Sequence, residues 1–138
     1  MARLRVTCGS RTSTVNDCNE MEHAVSLTGE RCVACHVDSP RVTPDEEASL
    51  LAEIPDWTLL DIDGVHRLER TFRIPGWRDP LAFTVAVGEL ADEEDHHPLI
   101  VTDWGKVTIT WWTRAIRGLH RNDFIMAAKT DELFAATR

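Results

Sequence analysis

From Thr43 onward the spacing of apolar residues switches repeatedly between helical and extended periods. Thr43-Pro44-Asp45-Glu46 reads as a helix start: a hydroxyl N-cap, proline at the first helical position and acids in the first turn. Glu46 stands three residues after Thr43, as a capping box requires. Leu50, Leu51 and Ile54 form the inward face of this helix, and Pro55 ends it. Trp57 to Ile62 and Val65 to Ile74 then flank Asp63-Gly64, a pair that accepts the positive φ angles of a type I′ hairpin turn. In the second strand Leu68, Phe72 and Ile74 share the face expected to meet the core. After Pro75-Gly76, the residues Trp77, Leu81, Val85 and Gly88 recur at helical spacing, broadened by Phe83, Val87 and Leu90, and this helix is expected to end near Asp92. Leu99 to Thr102 is a short strand, Asp103-Trp104-Gly105 a turn, and Lys106 to Thr113 another strand. There Val107, Ile109 and Trp111 take one face, and Thr108, Thr110 and Trp112 the other. A last helix runs from His120 or Arg121 to Ala136. The order α-β-β-α-β-β-α, without internal repeat or long linker, predicts an α+β layer architecture.

Residues 1–42 lie outside this pattern and read as a flexible N-terminal arm ahead of a domain spanning 43–138. The first residues, Met1 to His23, are polar and hold no apolar h-region of a secretory signal, and Met21 is a second candidate start. No apolar run approaches the roughly 20 residues that span a bilayer. The expected location is the cytoplasm, with no membrane partner. A chain of 138 residues with 43% hydrophobic and 28% charged positions is long enough to bury one proper core. Its net charge of −8 argues against nucleic-acid binding, which needs clustered Lys and Arg.

All four cysteines, Cys8, Cys18, Cys32 and Cys35, precede the globular pattern, which argues against a disulfide-stapled fold. Cys32-Val33-Ala34-Cys35-His36 matches the C-x-x-C-H pattern of covalent haem attachment, but that chemistry usually accompanies export. A zinc site would draw Cys32, Cys35, His36 and one of Cys8, Cys18 or His23. The favoured reading is a reduced cysteine pair in a loose arm, with no cofactor.

His96 and His97 are adjacent, at the point where a helix gives way to Pro98. Adjacent histidines lack the i, i+4 spacing of a helical metal pair. They can instead place two imidazoles at the lip of a cleft, suited to proton transfer near neutral pH. The plainer alternative is a pair of surface or capping groups.

The stretch His96-His97-Pro98, then Trp104, Lys106-Val107, Thr108-Ile109-Thr110, Thr113, Gly118-Leu119 and Asp123, resembles the pterin-4a-carbinolamine dehydratases, also called 4a-hydroxytetrahydrobiopterin dehydratases. The likeness continues through Ala82-Phe83, the Arg67-to-Phe72 strand and Pro55-Asp56-Trp57. Trp104-Gly105-Lys106-Val107-Thr108, Trp111-Trp112, the run Gly118 to Glu132 and the Cys-x-Ala-Cys segment Cys32 to Cys35 resemble the bacterial branch. Together the resemblance covers about residues 32–136.

What this implies is a four-stranded antiparallel sheet with helices on one face, in dimers or tetramers. It also implies a metal-free dehydration of 4a-hydroxytetrahydropterin to the quinonoid dihydropterin, a step in recycling the pterin of aromatic amino acid hydroxylases. By position His96 and His97 match the two adjacent active-site histidines, and Asp123 and Asp92 match acidic positions of the family site. Trp104 and Trp112 are candidate walls for a pterin ring, although strand tryptophans are more often core or interface residues. Thr113 matches a small hydroxyl residue that precedes the family's third active-site histidine, and at that position this chain has Arg114.

Arginine stays protonated at physiological pH and serves poorly as acid or base, though it can donate hydrogen bonds to a leaving oxygen or a pterin carbonyl. His120, at the start of the last helix, is a candidate replacement; its plainer reading is a helix-start residue facing water. Three functions follow. The first is a dehydratase working through His96 and His97, with Arg114 as a binding or electrostatic group. The second is a turnover-impaired relative that binds protein, as members of this fold do when they assist RuBisCO assembly or pair with a homeodomain transcription factor. The third is a metal- or redox-sensing module on Cys32 and Cys35.

Overall fold

In the computed structural model, residues 27–137 are described. Helix α1 (Pro44–Glu53) is followed by strands β1 (Thr58–Ile62) and β2 (Val65–Arg73) and by helix α2 (Arg78–Glu94). Strands β3 (Leu99–Asp103) and β4 (Lys106–Trp111), a 3-10 turn (Arg114–Ile116) and helix α3 (Arg121–Ala136) complete the order. The α+β fold read from the sequence is therefore the one observed.

Local chemistry accounts for the element ends. Thr43 accepts the Glu46 N–H and the Glu46 carboxylate returns to the Thr43 N–H at 2.8 Å, so the capping box is closed in both directions. Asp63 and Gly64 have φ of 54° and 80°, the positive pair that lets β1 and β2 fold back on each other in register. All strand pairings are antiparallel, in the order β1-β2-β4-β3, with β1 and β3 at the edges.

The helices cover one face of this sheet. Leu68 and Phe72 of β2 and Val107, Ile109 and Trp111 of β4 meet Phe83, Val87 and Ala91 of α2 and Phe124, Ile125 and Ala127 of α3. Phe72 is the centre of an aromatic group, with ring centroids 6.0 Å from Trp57, 5.0 Å from Phe83 and 4.9 Å from Phe134. Burying side chains of this size contributes about 1.5–3 kcal/mol each. Leu50 and Ile54 of α1 are also buried, and Leu51 packs against the core from its edge.

Three details differ from the sequence reading. On α2 the buried row is Pro80, Phe83, Val87 and Ala91, whereas Trp77, Leu81 and Val85 are exposed. Residues two apart on a helix point about 200° apart, so two apolar rows compete, and the one aimed at Phe72 wins. Strand β4 ends at Trp111 rather than Thr113, because the chain turns into the 3-10 segment closed by the Thr113–Gly118 bridge. Packing also begins before residue 43: Leu27 is in the core, Cys32 and Val42 rest on it, and the Val42 N–H donates to the Leu119 carbonyl.

Candidate active site

The C-terminus of α2 delivers the histidine pair. Asp95 adopts the left-handed conformation (φ 54°) and the His96 N–H returns to the Ala91 carbonyl, ending the helix and redirecting the chain. His96 then turns inward and is buried, whereas the His97 side chain is 54% exposed.

The His96 ring lies parallel to Trp111, with centroids 5.7 Å apart and planes 7° apart. Its Nε2 is 2.6 Å from Oδ1 of Asp123, in the first turn of α3. The second oxygen of Asp123 accepts from the Thr113 hydroxyl at 2.7 Å and from the His120 N–H at 2.9 Å. Asp123 has no solvent exposure, so these donors replace water completely. A carboxylate only accepts, which makes Nε2 of His96 the donor and leaves Nδ1 with a lone pair in the neutral ring. His97 is held more loosely, with its Nε2 3.1 Å from Oδ1 of the exposed Asp92.

Arg114 opens the 3-10 turn, and its Nη1 donates to the His97 carbonyl at 3.1 Å. Its guanidinium carbon is 4.2 Å from the Trp112 ring centroid, and that of Arg67 is 4.0 Å from the same ring. His96, His97, Asp123, Arg114, Asp92, Trp112 and Thr113 are therefore brought to one region. Trp104 is not: it sits 71% exposed at the β3–β4 turn, the full length of β3 away from His97, about 15 Å or more at the usual rise per residue.

His120 does not face water as a free group. It is the N-cap of α3, partly buried, and its Nδ1 accepts the Asn122 N–H at 3.0 Å. Burial pushes its pKa down, His96 adds to this, and Asp123 opposes it.

Asn122 escaped the sequence reading. Its amide accepts the Val33 N–H (3.1 Å) and donates to the Val33 carbonyl (2.7 Å) and to Cys35 Sγ (3.1 Å), docking the cysteine segment beside Asp123. The Asn-Asp pair at a helix start was the available signal, but nothing local named its partner. Burial pushes the Cys32 thiol up to about 12, helped by Glu94, and burial also raises that of Cys35. Both shifts disfavour the thiolate in the metal-free fold. No group of three or more potential ligands with metal-holding geometry occurs among the described residues. The alternative zinc ligands Cys8, Cys18 and His23, and the candidate start Met21, lie outside the described residues. Nor, among the described residues, is any helix long and apolar enough to cross a membrane.

Fold and site together define a class. Residues 40–133 match the family described as Pterin 4 alpha carbinolamine dehydratase. A Gloeobacter violaceus protein that bears the provisional name pterin-4-alpha-carbinolamine dehydratase 1 is 54% identical over 111 residues, 80% of this chain and 96% of that protein. The chain belongs to this family. A crystal structure of a transcriptional coactivator/pterin dehydratase from Brucella melitensis matches with a TM-score of 0.62 at 24% identity, over 68% of this chain and 98% of that one, a likeness of fold.

Proposed function

We propose that this protein dehydrates a 4a-hydroxytetrahydropterin to the quinonoid dihydropterin. The observation that carries the reading is the buried Asp123, which fixes His96 at 2.6 Å directly beside the exposed His97. In the reaction the N5–H proton leaves, the C4a–O bond breaks with its electron pair, the N5=C4a bond forms and the hydroxyl departs as water. One base and one acid suffice. His96 is the base, since the Asp123 carboxylate stabilises the imidazolium that forms when the ring takes the N5 proton. His97, in contact with solvent and with Asp92, donates to the leaving hydroxyl. Arg114 carries no proton-transfer role: its charge is permanent, and one of its donors already anchors the His97 carbonyl.

The test is a dehydration assay on the 4a-hydroxypterin. His96→Ala and His97→Ala are each expected to lose about 10²–10⁴-fold in turnover, the usual contribution of a general acid or base. A second reading, a turnover-impaired member that acts by binding protein, is favoured by Arg114, a group that stays charged, at the position where the family's third histidine is expected. Wild type that is silent until Arg114→His restores activity would remove the first reading.

A further inference from the structure

We propose that Arg67, Arg114 and Trp112 form a subsite for a phosphate monoester on the pterin side chain, so that the preferred substrate is a phosphorylated pterin. This rests on the pterin reading of the site and narrows its substrate class.

The register of β2 against β4 pairs Leu68 with Trp111, which sets Arg67 across from Trp112 just past the end of β4, where Trp112 is partly buried and packs against the edge of the core. Both guanidinium carbons stand close to the Trp112 centroid, at 4.0 and 4.2 Å, so they lie within twice that distance of each other. A cation held over an indole by its carbon leaves guanidinium N–H donors that the ring does not satisfy.

Most of those donors have no acceptor among the described residues. Arg67 makes no hydrogen bond or ion pair among the described residues, and its Nε is buried without a partner. Arg114 uses one nitrogen, on a neutral carbonyl. Glu69 accepts the Thr110 hydroxyl at 3.0 Å and Asp92 contacts His97 at 3.1 Å, and neither forms an ion pair with these arginines among the described residues. Two arginines without an ion pair among the described residues share one indole, in a chain whose net charge is −8.

The ligand chemistry follows from this arrangement. A phosphate monoester carries close to two negative charges and three acceptor oxygens, enough to engage both guanidinium forks, whereas a carboxylate saturates one. The subsite is joined to the chemistry through the Arg114 contact with the His97 carbonyl. On a pterin, the C6 side chain leaves the ring next to N5, so a phosphate at its end can reach the arginines while N5 and C4a face the histidines.

Binding of oxidised, non-reacting pterins tests this directly. Neopterin monophosphate, neopterin and pterin-6-carboxylate would be titrated by calorimetry into wild type, Arg67→Gln and Arg114→Gln. The phosphate ester should bind at least tenfold tighter than neopterin and tighter than the carboxylate. Arg67→Gln should erase most of that preference, weakening the phosphate ester far more than neopterin. Equal binding of phosphate ester and neopterin, a preference for the carboxylate, or a phosphate preference that survives both substitutions would each overturn the subsite. Turnover of the unphosphorylated substrate in the same preparation shows separately whether the dehydratase reading stands.

Discussion

His120 and His66 sit in opposite electrostatic settings, and the fold responds to pH through both. Burial holds His120 below its ordinary 6.5, with His96 reinforcing the shift and Asp123 opposing it. The unfolded chain therefore binds that proton first on acidification, so the stability linked to His120 is whole above about 6.5 and falls as pH drops below it. The geometry agrees, since Nδ1 must keep its lone pair to accept the Asn122 N–H. At His66 the hydrogen bond to Glu47, 2.8 Å long, raises the pKa above 6.5, outweighing slight burial. That contribution is full below 6.5 and is lost as pH rises through the raised value, although a 40% exposed side chain keeps it small. His120→Asn retains a good N-cap and removes the titrating ring. Urea midpoints at pH 7.5 and pH 5.5 should therefore differ less in the variant than in wild type. An equal or larger fall on acidification would show that His120 is not a source of acid sensitivity.

At the scale of elements, the caps are where sequence and structure agree most closely. The α1 capping box and the Asp63-Gly64 hairpin each close within four residues, so neighbouring side chains alone decide them, whereas the His120–Asp123 box of α3 was not read from the sequence. Thr43→Ala should destabilise the protein by about 1 kcal/mol in urea denaturation, the usual cost of an N-cap. A change under a few tenths would mean that Leu50 and Ile54 hold α1 without its cap. The inward row of α2 was less legible, because Leu81–Val85 and Phe83–Val87 are equally apolar rows, and the position of Phe72 across the sheet chooses between them. His96, His97, Asp92, Asp123, Thr113, Trp112 and Arg114, candidates by position in the sequence, lie together in the fold. Their partners were not legible there, because they depend on tertiary approach: Trp111 under His96, Arg67 beside Trp112, and Asn122 against Val33. Trp104 shows the converse, a residue adjacent in motif but separated by the run of a whole strand.

Across the whole molecule, the segment before α1 ties together the two helix ends that build the site. Glu94, at the C-terminus of α2 beside His96, accepts the Cys32 N–H at 2.9 Å and pairs with Lys129 at 3.1 Å. Burial alone would raise its pKa, but these contacts and Arg31 hold it lowered. At the N-terminus of α3, Asn122 grips Val33 and Cys35, and Arg121 forms two hydrogen bonds to Glu30, at 2.9 and 2.6 Å. His96 and Asp123 thus belong to helices strapped by one strip of chain. Asn122→Ala cuts three of those hydrogen bonds while leaving the Asp123 contacts in place. Two effects should follow together. Peptide-resolved alkylation by iodoacetamide at pH 8 should become several-fold faster at Cys35, because freeing the segment exposes a thiol whose pKa burial raises, an effect larger than the loss of the Asn122 hydrogen bond that lowers it. Dehydratase turnover should also fall as the alignment of His96 and Asp123 loosens. Unchanged labelling would show that Glu94 and Arg121 suffice to hold the strap. Faster labelling with unchanged turnover would show that the strap is anchored at the site without supporting it.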